Sequence, residues 1–66
     1  MFEELRKEME KQHVTTNRLA KMANITSQDL YAALAGKRPM FPGWRKRIAE
    51  TLGVPESDLF NGEEAQ

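Results

Sequence analysis

The side chains best suited to recognition chemistry lie together on one short segment, the predicted helix over residues 27–35. Ser27 and Gln28 occupy its first turn, and Tyr31 and Ala32 follow on the same outward face. A glutamine amide can pair bidentately with adenine N6 and N7, a serine hydroxyl with several bases, and an alanine methyl can contact thymine. A tyrosine at this position has three possible roles: it packs on a sugar of a nucleic-acid backbone, donates a hydrogen bond to a phosphate, or contacts nothing. These residues form the candidate base-reading set.

Cationic side chains surround the loop that follows this helix. Residues 39–43 contain two prolines and one glycine, and they are flanked by five cations without an intervening acid: Lys37, Arg38, Arg45, Lys46 and Arg47. A charge run is usually a solvated face, but its place directly after this helix favours a clamp for backbone phosphates. The first turn of the preceding helix adds the Thr16 hydroxyl and the Arg18 guanidinium. The predicted phosphate-binding residues are Thr16, Arg18, Lys37, Arg38 and Arg45.

Two aromatic residues, Phe41 and Trp44, are interspersed with these cations. A mixed aromatic and basic patch can bind single-stranded nucleic acid, because bases stack on aromatic rings. The pattern favours the alternative, in which both aromatic side chains pack beneath the loop and complete a small core.

The net charge of the chain is zero, yet its charges are segregated. Residues 12–47 contain seven lysines and arginines and a single carboxylate, Asp29, whereas residues 48–66 contain five acids and no lysine or arginine. A polyanion responds to the local field, because salt screens charges beyond about 10 Å. The basic centre therefore favours a nucleic-acid partner. Asp29 is interpreted as a helix-start residue, since a carboxylate is stabilising at a helix N-terminus.

A short interruption at residues 24–26 separates two stretches whose apolar residues recur at helical spacing. Asn24 suits the left-handed conformation that ends a helix. Thr26 suits the N-cap of the next helix, with Asp29 completing an approximate capping box. Gly36 is the expected residue just beyond that helix. Two short helices joined by so tight a turn are predicted to form a helix-turn-helix.

Five helices are predicted in all. The first is predicted over residues 2–12, and the second runs from Thr15 or Thr16 to Ala23. The other three are predicted over residues 27–35, 42–52 and 55–60. A chain this short buries only about 60% of its unfolded surface, which favours a compact helical core. The expected fold is all-α, with one domain over residues 1–60 and a frayed C-terminal tail over residues 61–66.

Composition argues against several other classes of site. The chain has no cysteine and a single histidine, so no disulfide, metal or cofactor is expected. That histidine, His13, is expected to face solvent in the connector after the first helix. No Ser/His/Asp arrangement, paired-carboxylate motif or glycine-rich phosphate loop points to an enzyme. No apolar run approaches the roughly 20 residues of a membrane span, so a soluble, cytoplasmic protein is expected.

The spacing of these residues resembles the phage-repressor (Xre/Cro) type of helix-turn-helix domain across most of the chain, roughly residues 3–60. The matching positions are Val14-Thr15, Leu19-Ala20, Ile25-Thr26, Leu30, Gly36-Lys37, Ile48-Ala49, Leu52-Gly53-Val54 and Leu59-Phe60. The resemblance implies a compact five-helix, lambda-repressor-like domain that binds double-stranded DNA as a transcriptional regulator, commonly as a homodimer. It also implies phosphate contacts from Thr16, Lys37 and Arg38, and base contacts from Ser27, Gln28 and Ala32.

Three positions depart from the family pattern. Asn24 stands where a turn glycine is usual, which the backbone tolerates. Thr16 stands where a glutamine commonly buttresses the recognition helix. Leu34 occupies a position that is often glutamate, which makes the end of this helix more apolar than usual.

The leading hypothesis is a sequence-specific, repressor-like DNA-binding regulator, without a small-molecule ligand or membrane partner. Its dimer, if formed, would use helices four and five. The competing hypothesis is a protein-interaction module on the same fold, such as an antirepressor. It draws on the neutral net charge, the alanine-rich recognition helix, and the expected exposure of Tyr31, Leu59 and Phe60.

Overall fold

Residues 2–60 are described by this computed structural model, and within them the chain forms five α-helices and no strand. The helices are α1 (Glu3–Lys11), α2 (Thr16–Met22), α3 (Ser27–Leu34), α4 (Pro42–Leu52) and α5 (Glu56–Leu59). Their bounds agree closely with the predicted ones, so the expectation of a small all-α structure is confirmed for these residues. The predicted tail at residues 61–66 lies outside the described range.

The overall dimensions are those of a well-packed chain. The Cα radius of gyration is 10.4 Å, against about 11 Å expected of a compact chain of this length. Within residues 2–60 no helix has the length and apolar character needed to cross a bilayer. The longest helix, α4, has 11 residues.

The core draws on every helix. The largest fully buried side chains come one from each: Leu5, Leu19, Leu30, Ile48 and Leu59. Phe2 and Phe60 pack edge to face with ring centroids 6.2 Å apart, which joins the two ends of the described chain. The expected exposure of Leu59 and Phe60 is therefore wrong, since their side chains are 1% and 2% exposed. The Phe60 ring packs on Phe2 at the start of α1, and their burial makes both Leu59 and Phe60 unavailable to a partner protein.

The first three helices end with the same backbone device. α1, α2 and α3 are each followed by a residue at positive φ, namely His13 at 57°, Asn24 at 60° and Gly36 at 80°. The N–H of the next residue then donates at 2.8 Å to a carbonyl in the last helical turn: Val14 to Met9, Ile25 to Ala20, and Lys37 to Ala32. This Schellman geometry satisfies carbonyls that a helix end otherwise leaves free. The expected roles of Asn24 and Gly36 are confirmed, and His13 proves to reverse the chain after α1.

α2 and α3 are capped at their N-termini and packed closely on each other. The Thr15 hydroxyl accepts a bond of 3.2 Å from the Arg18 N–H, and the Thr26 hydroxyl accepts one of 3.1 Å from the Asp29 N–H. Each such cap contributes about 1 kcal/mol. Ala20 of α2 is fully buried, and its small side chain permits a neighbouring helix to approach closely. Among the described helices, this pair shares the most extensive contact.

Two side chains of the α1 region hold the ends of distant helices. Arg6 Nη2 donates to the Leu34 carbonyl at 3.1 Å, at the C-terminus of α3. Gln12 Nε2 donates to the Leu52 carbonyl at 2.9 Å, at the C-terminus of α4. Helix ends leave these carbonyls without intrahelical partners. The two bonds therefore fix α3 and α4 relative to α1.

The loop between α3 and α4 differs from its prediction. Met40, at 5% exposure, is the side chain that packs beneath it, whereas Phe41 is 44% exposed. Trp44 is half-buried and meets Phe41 edge to face, with ring centroids 4.8 Å apart. The expectation that both aromatic residues enter the core is therefore wrong for Phe41. Phe41 precedes α4 as its N-cap residue, while Met40 fills the core position.

Candidate functional site

The outward face of α3 forms one wall of an open groove of about 590 Å³. Gln28, Tyr31 and Ala32 line it from this helix, and Ala35 lines it from the C-cap position. Gln28 is exposed, and Tyr31 retains 50% exposure. Leu30 lies on the opposite face and is fully buried, so the helix is anchored from behind. Three of the four predicted base-reading residues thus share one accessible surface, which we call the α3 groove.

The C-terminus of α3 places two cations at the same groove. Gly36 adopts a φ of 80°, and the N–H groups of Gly36 and Lys37 turn back onto the helix carbonyls of Ala33 and Ala32. This reversal brings Lys37 and Arg38 into the groove lining instead of carrying them away along the helix axis. Within residues 2–60, the Lys37 ammonium group has no ion-pair partner. Its charge is therefore available to an external anion.

Arg38 is in a different electrostatic position, because an acid of α3 faces it. Its Nε lies 3.7 Å from Oδ1 of Asp29, and the two side chains are 57% and 34% exposed. Asp29 also lines the α3 groove. The Asp29 N–H donates to the Thr26 hydroxyl, which is one of the two bonds of a capping box. This bond fits the expected helix-start role of Asp29. Its carboxylate, in contrast, faces Arg38, and this pairing was not predicted from the sequence.

Ser27, Thr16 and Arg18 lie outside the lining of the α3 groove. Ser27 is the half-buried first residue of α3, and Thr16 is the half-buried first residue of α2. Arg18 is exposed in the first turn of α2. The base-reading role of Ser27 and the phosphate roles of Thr16 and Arg18 stay predictions.

Arg45 lies in different surroundings from Lys37 and Arg38. Its Nε donates to the Met40 carbonyl at 3.2 Å, and its guanidinium carbon lies 5.8 Å from the centroid of the Phe60 ring. It borders a separate depression with residues of the α5 region. These contacts tie the start of α4 to α5. The structure therefore does not bring Arg45 into the α3 groove, and its phosphate role stays a prediction.

The α3 groove combines an exposed amide, a phenol, two small side chains and an unpaired cation along α3 and the turn that follows it. Amide and hydroxyl groups read hydrogen-bonding edges, while small side chains let the backbone approach a surface closely. A free cation at the helix end attracts an anionic scaffold. No family model matches the sequence, and neither the curated proteins nor the solved structures contain a significant match to this chain.

Proposed function

We propose that this chain is a sequence-specific, double-stranded DNA-binding transcriptional regulator of the repressor type. Its α2–α3 unit acts as a lambda-repressor-like helix-turn-helix, with α3 as the recognition helix in the major groove. The observation that carries the proposal is the shared location of Gln28 and Lys37 on the α3 groove. Gln28 supplies a base-reading amide in the first turn of α3, and Lys37 supplies a free positive charge three residues beyond the last residue of the helix.

The dimensions of α3 suit this role. An α-helix with its side chains is about 10–12 Å across, and the major groove is about 12 Å wide, so a helix such as α3 (eight residues) can enter it. Gln28 lies in the first turn, from which recognition helices contact base edges. Ala32 within the helix and Ala35 at its C-cap have small side chains, so this face can approach thymine methyl groups closely. Discrimination between base pairs then depends mainly on Gln28, and Tyr31 is the second candidate side chain for it.

The packing behind α3 supports the same interpretation. Leu30 and Leu34 anchor the helix in the core, and the Arg6 guanidinium holds the carbonyl end of α3. A recognition helix held in this way loses little conformational entropy on binding. If two copies pair, as is common in the family that the sequence resembles, their recognition helices would enter successive major grooves about 34 Å apart.

The proposal is tested by titrating the protein into fluorescent duplex DNA and into its separated strands. Each phosphate that a cation neutralises contributes about −0.9 to the slope of log K against log salt concentration. With two to four contacts, we expect a slope of about −1.8 to −3.6, or about a 12- to 150-fold loss of duplex affinity between 50 and 200 mM salt. A flat salt dependence, or equal affinity for the single strands, would contradict a duplex-binding function.

A protein-interaction module on the same fold is the second candidate. Tyr31, Phe41 and Met22 support it, because each is a large apolar side chain with 44–50% exposure. The buried Leu59 and Phe60 no longer contribute to this alternative. The same titration separates the two candidates, since a protein-interaction module has no requirement for steeply salt-dependent duplex binding.

A further inference from the structure

We propose that Asp29 is an internal competitor for the Arg38 guanidinium and withholds it from DNA phosphates. This inference rests on the proposed DNA-binding function and adds to it a residue that weakens backbone binding. The contact itself is the 3.7 Å approach of Arg38 Nε to Asp29 Oδ1 on the wall of the α3 groove. Because Asp29 and Arg38 border a surface proposed to face DNA, the Asp29 carboxylate occupies the position at which a phosphate oxygen would bind Arg38.

The charge pattern of the segment makes Asp29 distinctive. It is the only acid among residues 12–47, which contain seven lysines and arginines. Its carboxylate could have bonded back to the Thr26 N–H in a complete capping box. The carboxylate lies instead beside Arg38, while the backbone N–H of Asp29 donates to the Thr26 hydroxyl. The carboxylate therefore neutralises one of the two cations in the groove and leaves Lys37 free.

The strength of such a pair sets the expected size of the effect. Exposed ion pairs contribute little net free energy, because water and salt screen both charges. With side-chain exposures of 57% and 34%, the pair remains accessible to a competing anion. Asp29 consequently reduces the affinity for the DNA backbone without blocking the groove. Its effect acts on every DNA sequence alike, since phosphates carry no base identity.

The test compares Asp29→Asn with the wild-type protein on a random-sequence duplex between 50 and 200 mM salt. The variant keeps the shape of the side chain and removes its charge. We expect duplex affinity at 50 mM salt to rise by about three- to tenfold, and the salt slope to steepen by up to about one unit, because Arg38 becomes a further phosphate contact. Asp58→Asn is the matched control, since it changes the net charge equally on the exposed surface of α5. For this control we expect less than about a twofold change in affinity.

A second pair of variants assigns the effect to Arg38. In the wild-type background Arg38→Ala should alter the salt slope little, whereas in the Asp29→Asn background it should abolish the gain in affinity and slope. If Asp29→Asn behaves like Asp58→Asn, or if Arg38→Ala alone removes a full unit of slope, the competition does not exist. In both cases wild-type duplex binding still supports the proposed function. If the wild-type protein binds no duplex at low salt, the proposed function fails and this inference fails with it.

Discussion

Replacing Leu30 with alanine is expected to lower the free energy of unfolding by about 3–5 kcal/mol. The Leu30 side chain is fully buried and belongs to α3. Its truncation removes apolar contacts and leaves a cavity behind the proposed recognition helix. Native domains are stable by only about 5–15 kcal/mol, and short chains lie toward the lower end of this range. The variant should therefore be close to unfolded at 37 °C. Urea titration followed by circular dichroism at 222 nm measures the loss.

Tyr31 supplies a control on the next position of the same helix. Its side chain is 50% exposed, so Tyr31→Ala should alter the free energy of unfolding by about 0.5 kcal/mol or less. A conservative Leu30→Met change should cost less than about 1.5 kcal/mol, because the core volume is nearly kept. If Leu30→Ala is as stable as the wild-type protein, Leu30 does not anchor α3 in the core.

Reversing the charge of Lys37 is expected to produce the largest loss of duplex binding. Lys37 is exposed, has no ion-pair partner within residues 2–60, and lines the α3 groove. Lys37→Glu removes one phosphate contact and adds repulsion at the same position. We expect affinity to fall by about 10- to 100-fold at 100 mM salt, with a salt slope shallower by about one unit. Fluorescence anisotropy with a fixed duplex measures both quantities.

Lys11→Glu is the matched control for this prediction. Lys11 is exposed in the last turn of α1 and does not border the α3 groove. The reversal changes the net charge by the same amount, but screening should limit its effect on binding to about threefold or less. Equal losses in the two variants would mean that total charge, and not the position of Lys37, governs binding.

Helix bounds and chain reversals were predictable because their causes are local. The hydroxyl of Thr26 caps the helix that begins at the next residue, and this bond spans three residues. Asn24 and Gly36 supply positive φ where a helix must end, and their residue types carry that information directly. The location of Gln28 on an exposed helical face follows from the spacing of buried Leu30 and its apolar neighbours.

Contacts between distant residues were not predictable from local pattern. The bond from Arg6 to the Leu34 carbonyl joins residues 28 positions apart, and that from Gln12 to the Leu52 carbonyl joins residues 40 apart. The pairing of Asp29 with Arg38 depends on the angle of the reversal at Gly36, which spacing does not encode. These long-range contacts hold α3 and α4 in place and determine which cation of the groove is free.

The burial of Met40 in place of Phe41, in the loop between α3 and α4, was also not predictable from local pattern. Met40 and Phe41 are adjacent apolar residues, and hydrophobicity alone favours burial of the aromatic one. The structure buries Met40 instead, and Phe41 stays exposed as the residue before α4. Which of two adjacent side chains faces the core depends on the path of the loop, and the periodicity of the flanking helices does not specify that path.

The proposed reading of base edges by α3 in duplex DNA is tested most directly by selection from a random duplex pool. Wild-type protein and Gln28→Ala are selected in parallel at 50 and 200 mM salt. We expect the wild-type protein to enrich a roughly palindromic motif, and Gln28→Ala to lose preference at one position of each half-site by about 10- to 100-fold. Absence of enrichment at both salt concentrations, or an identical motif for the variant, would contradict the reading role of α3.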